Sequence, residues 1–202
     1  MKNPVLSAAV VSLALVLATA ASAQAPQVRV RGTIESVSGQ MLTVKSRDGA
    51  DMKIKLADNA PVRTVTKASL SDIKPGSFVG ITAMPQPDGT QKAVEIHIFP
   101  EAMRGTGEGH RPWDLMPNST MTNATVDTQV VISDGQKLVL KYKDGDKTFI
   151  VPSNVTVVSF APATASDLKP GAVVFAGTTK EPDGTLDAPN ITVGTNGVNP
   201  PM

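Results

Sequence analysis

The sequence predicts an all-β chain of two tandem small β-barrels, and three observations lead there. One set of turn motifs occurs twice in the same order. Short runs of alternating apolar and polar residues lie between those motifs. The amino-terminal stretch reads as a cleaved signal peptide, so it contributes nothing to the fold.

Residues 1–23 carry the export signal. Lys2 supplies a positive start, Val5 to Ala18 form an apolar stretch interrupted by Ser7 and Ser12, and Ala21-Ser22-Ala23 offers a small-x-small cleavage site. The apolar run is shorter than the roughly 18–20 residues that span a bilayer. The mature chain is expected to begin at Gln24, and the expected location is the periplasm, in soluble form. Cleavage removes Lys2 and no acid, which leaves basic and acidic residues in balance. Such a chain has no long-range field to draw it to nucleic acid or to an anionic membrane surface. There is no Cys, so disulfides, thiol chemistry and a lipoprotein anchor are excluded.

The first repeat is expected over residues 28–99. It contains Gly39-Gln40-Met41-Leu42-Thr43-Val44, Asp48-Gly49, Asp72-Ile73-Lys74-Pro75-Gly76 and Pro87-Asp88-Gly89-Thr90. The second, over 122–196, contains Gly135-Gln136-Lys137-Leu138-Val139-Leu140, Asp144-Gly145, Asp167-Leu168-Lys169-Pro170-Gly171 and Pro182-Asp183-Gly184-Thr185. The offset is 96 for the first two blocks and 95 for the last two. Residues 43–46 and 52–56 flank Asp48-Gly49 as a hairpin, and 138–142 and 148–151 do the same around Asp144-Gly145. Residues 69–74 and 165–169 read as short helical turns stopped by Pro-Gly. Further strands are expected over 78–84, 93–99, 172–178 and 189–193. About six short strands per copy leave open edges unless the sheet closes, so each copy is expected to form its own barrel, OB-like or SH3-like.

The duplication separates what the fold needs from what is particular. Asp72, Asp167, Asp88 and Asp183 occur in both copies and read as turn residues that bond their own backbone. His97 occurs in one copy only, on a strand where Glu95, His97 and Phe99 share a polar face. Residues 100–121, a Gly/Pro-rich linker, have no counterpart; three Gly and three Pro argue against a regular element there. The linker holds the only Trp, Trp113, which is expected to plug the junction between the barrels.

Imidazole and carboxylate groups suit a transition metal such as zinc, copper or nickel, and His97, His110, Glu95 and Glu108 are the candidate ligands. Arg104, Arg111, Trp113 and Asp114 are the candidate partner-binding residues. No nucleophile–base motif is present, so no catalytic residue is assigned; a hydrolase using His110 with Asp114 or Glu108 is the least favoured alternative. The chain has five Phe, one Tyr and one Trp, too few for a nucleic-acid stacking surface.

Leu70-Ser71-Asp72-Ile73-Lys74-Pro75-Gly76, Asp167-Leu168-Lys169-Pro170-Gly171, the two Pro-Asp-Gly-Thr turns and the run from Met103 to Leu115 carry a resemblance. The chain resembles a group of exported bacterial proteins with duplicated small β-barrel domains of unknown function, some labelled metal ABC transporter permease. It departs from that label, because a permease needs several apolar spans of about 20 residues and none follows residue 23. The resemblance implies at most association with a metal transport system, and it supplies no catalytic residues. The expected function is a soluble periplasmic binding or accessory module of unknown ligand, with the metal association that the resemblance implies; a structural or interaction protein of the cell envelope is the alternative.

Overall fold

The computed structural model describes residues 27–200. The expected signal peptide and its cleavage site lie outside the described residues. The fold is all-β: one continuous sheet of fourteen strands, with no helix beyond 3₁₀ turns among the described residues. No helix there is long and apolar enough to cross a membrane. In chain order the strands are β1 (Gln27–Ser38), β2 (Met41–Ser46), β3 (Asp51–Leu56), β4 (Val62–Lys67), β5 (Phe78–Pro85), β6 (Gln91–Ile98), β7 (Gly109–Pro112) and β8 (Thr120–Ile132). They continue with β9 (Gly135–Tyr142), β10 (Gly145–Val151), β11 (Thr156–Pro162), β12 (Val173–Lys180), β13 (Leu186–Ala188) and β14 (Ile191–Val193).

The strands close into barrels, but along unexpected lines. β1 pairs with β2, β2 with β3, β3 with β13, β13 with β12, and β12 returns to β1. A second circuit runs β8, β9, β10, β6, β5 and back to β8. Neither ring coincides with residues 28–99 or 122–196. Each takes the amino-terminal hairpins of one repeat and the carboxy-terminal strands of the other. The cores divide in the same way. Leu42, Val44 and Ile54 pack with Val174, Leu186 and Ile191, whereas Val79, Ile81 and Ile96 pack with Leu138, Leu140 and Phe149. Each such buried apolar side chain contributes about 1.5–3 kcal/mol, so neither core is complete without both repeats.

β4 and β11 join the rings. They run antiparallel, with Val65 opposite Phe160, two residues separated by the repeat offset, so a local two-fold passes between them. β4 continues in parallel onto β14, and β11 onto β6. Matching residues hold matching places. Asp72 accepts the Ser69 N–H at 2.8 Å and Asp167 accepts the Thr164 N–H at 2.8 Å. Asp88 and Asp183 each accept a backbone N–H two residues on, at 2.9 Å. These aspartates are the turn formers that the repeat predicts.

Two local expectations are revised. The stretch 189–193 is not one strand; Pro189, which has no N–H to give a ladder, separates β13 from β14. The linker is not free of regular structure, because β7 pairs with the start of β8, from Gly109 opposite Asn123 to Pro112 opposite Thr120. The glycines with positive φ at 105, 107 and 109 turn the chain into that pairing.

Candidate functional site

The linker lies over the seam between the rings, and beneath it is a cleft of about 240 Å³. Its floor is built from the outer face of the second ring. His97 on β6 and Asn123 on β8 both lie beside Gly80 on β5, so the three share one face of the sheet. A Cβ at residue 80 would stand 2.8 Å from Asn123 Oδ1, 3.1 Å from the Phe99 ring and 3.5 Å from His97 Nδ1. Glycine keeps that space open. One repeat offset away, Phe175 occupies the corresponding position and lines the cleft from the other ring.

The walls are mixed. Phe99, Phe160 and Phe175 are the aromatic part, with Phe99 and Phe160 tilted together at 5.1 Å and His97 meeting Phe160 at 5.8 Å. Arg63 on β4 and Arg111 on β7 supply positive charge; among the described residues no carboxylate lines the cleft, and Glu95 stands beside the lining residue His97 at 3.5 Å. The linker is pinned above them: Asn123 Nδ2 donates to the Thr106 carbonyl at 2.9 Å, and Arg111 Nη1 donates to the Gly107 carbonyl at 2.7 Å. Trp113 stacks under the Arg29 guanidinium at 4.0 Å, which ties the linker to β1 of the other ring.

Among the described residues, three buried side-chain polar atoms make no hydrogen bond: Trp113 Nε1, Asn123 Oδ1 and His97 Nε2, the last standing 3.5 Å from Glu95 Oε1 without a bond of good geometry. All three belong to residues that line this one cleft. Buried polar atoms are paired in folded proteins because an unpaired one costs about 1–3 kcal/mol. Three such atoms on residues that line one cleft make it the place where a polar occupant, whether water or ligand, finds partners.

The four metal-ligand candidates are not brought together. His97 and Glu95 do meet, with Nε2 and Oε1 3.5 Å apart, and Thr82 Oγ1 donates to the same Glu95 oxygen at 2.9 Å. This polar face is buried at both residues, with His97 1% and Glu95 6% exposed. His110 stands opposite Thr122 on β8, next to Asn123, and therefore projects from the other face of the sheet. Its Nδ1 lies 2.7 Å from Thr122 Oγ1. Glu108 instead accepts the Lys143 N–H at 3.1 Å. Among the described residues no group of three or more His, Asp or Glu could hold a metal ion. In the hydrolase arrangement both acids are engaged elsewhere, Asp114 by Arg31 at 2.8 Å and Arg29 at 3.6 Å and Glu108 by the Lys143 N–H. Burial opposes ionisation of Asp114, but the Arg31 hydrogen bond and the two arginine charges outweigh it and hold the carboxyl below its ordinary range.

The partner-binding candidates fall into two groups. Arg111 and Trp113 line the cleft. Arg104 is a staple: it binds Glu101 through Nε and Nη2 at 2.5 and 2.7 Å and donates to the Gly76 carbonyl at 2.9 Å. Asp114 orders Arg29 and Arg31 behind the tryptophan. Sequence reading missed Arg63, Gly80 and Asn123. The first two were visible as places where the repeats differ, Arg63 against Val158 and Gly80 against Phe175. Asn123 was hidden, because the longer β8–β9 hairpin changes the offset at this strand to 92. Comparisons with protein-family models, curated proteins and solved structures return no match.

Proposed function

We propose that this protein is an exported, soluble periplasmic binding module, two barrels with exchanged repeat halves that hold a small organic ligand in the seam beneath the linker. The single observation behind this reading is that the three residues carrying unpaired buried polar atoms, His97, Trp113 and Asn123, all line one cleft. The site is smaller than the about 300–1,000 Å³ typical for drug-sized ligands, so its occupant is a small metabolite. The metal-associated role rests on Glu95 and His97 alone and on the resemblance to proteins labelled as metal transporters. The envelope-structural role has one observation of its own: Val130 and Val131, 50% and 79% exposed, stand on the extended β8–β9 hairpin.

A fragment screen by heteronuclear NMR tests the binding reading. Polar fragments that bind are expected to move the resonances of His97, Asn123 and the Trp113 indole N–H together. Binding confined to other surfaces, or no binding at fragment concentrations of about 1–10 mM, contradicts it.

A further inference from the structure

We infer that the seam cleft takes a small organic monoanion bearing a hydroxyl and a flat apolar group, of which an aryl hydroxy acid is the simplest member. This rests on the binding reading above and adds the ligand's chemical class.

The charge of the ligand follows from the arginines. Arg29 and Arg31 share Asp114, and Arg104 is paired with Glu101. Arg63 and Arg111 have no carboxylate partner among the described residues, and both line the same cleft. Burial, aided by the Arg29 charge, lowers the Arg111 pKa, so its surroundings resist an unbalanced cation. A planar guanidinium is suited to a carboxylate, and one anion in the cleft offsets this penalty.

The polar pattern follows from the unpaired atoms. The Trp113 indole nitrogen is a donor only and needs an acceptor. Asn123 presents its oxygen, because its amide nitrogen is committed to the Thr106 carbonyl; turning the amide over would set oxygen against oxygen. Asn123 Oδ1 therefore needs a donor from the ligand. An ammonium would supply one, but it would face Arg63 and Arg111 in a cleft whose described lining holds no carboxylate to offset it. A hydroxyl supplies the donor without the charge. The flat group follows from Phe99, Phe160 and Phe175, which present aromatic surface along the same cleft.

A matched set of probes separates these requirements: mandelate, phenylacetate (no hydroxyl), phenylethane-1,2-diol (no charge) and phenylglycine (ammonium for hydroxyl). Binding to the purified protein is read by Trp113 emission and by the shifts of His97 and Asn123. Mandelate is expected to bind tightest, each of the others about tenfold or more weaker. Arg111→Gln and Arg63→Gln are each expected to bring mandelate down towards the diol, whereas Arg111→Lys keeps the preference for the acid; circular dichroism confirms that each variant is folded. If the diol binds as well as mandelate at these residues, the anion class is overturned while the site stands. If phenylglycine equals mandelate, the hydroxyl assignment is overturned. If no probe moves these resonances at about 10 mM, the binding reading fails and the ligand class with it.

Discussion

Single side chains decide much of the behaviour of the seam, and His110 has the plainest consequence. Burial, with the positive charges of Lys147 and Arg111 nearby, holds its imidazolium below the ordinary histidine range. The unfolded chain therefore takes up a proton at this residue before the folded chain does. Its contribution is fully present above the unfolded value of about 6.5 and is lost as pH falls through the lower folded value. Denaturant midpoints measured from about pH 7.5 down to 5 should fall in that window, and His110→Gln should flatten this part of the profile. An unchanged slope in the variant would show that His110 is not the group responsible. At this scale the sequence was partly readable. His97 stood out because the other repeat has Thr192 in its place, but its burial depended on a linker whose path over the strand face no spacing encodes.

At the scale of elements, the legible features were those governed by local chemistry. Asp-Gly turns, Pro-Gly stops and period-two alternation place β2, β3, β5, β6, β9, β10 and β12 close to where they lie. β7 was not legible, because the glycines that argue against regular structure are also what lets the linker turn and pair with β8. The clearest test at this scale is the β6–β5–β8 row. Gly80→Ala puts a methyl 2.8 Å from Asn123 Oδ1 and 3.1 Å from Phe99, and Asn123 cannot swing aside without losing its 2.9 Å bond to the Thr106 carbonyl. A loss of about 1–3 kcal/mol in chemical unfolding is expected, together with weaker binding of any cleft ligand. Unchanged stability with unchanged binding would mean that the open space beside His97 and Asn123 is not used.

At the scale of the whole molecule, the pairing of strands distant in sequence organises everything else. β1 pairs with β12, and β8 with β5, so each ring closes only when both repeats are present. A repeat reveals which segments are alike, but identical segments are equally compatible with pairing inside a copy or across copies. That degeneracy is why one barrel per repeat was the natural expectation, and why the exchanged arrangement had to come from the structure. The exchange also has a functional consequence: it brings β4, β11 and β14 alongside β6, and so builds the seam whose cleft is lined from both rings.

Separating the repeats by a cut at Gly107 tests this directly, with Trp113, on the second fragment, as the reporter. Neither fragment alone should show a cooperative unfolding transition, because each holds only half of either core. An equimolar mixture should regain the β-sheet circular dichroism, the emission of the half-buried Trp113 and the response to a cleft ligand. A fragment that unfolds cooperatively by itself, with native-like β signal, would contradict the exchanged barrels and the seam that depends on them.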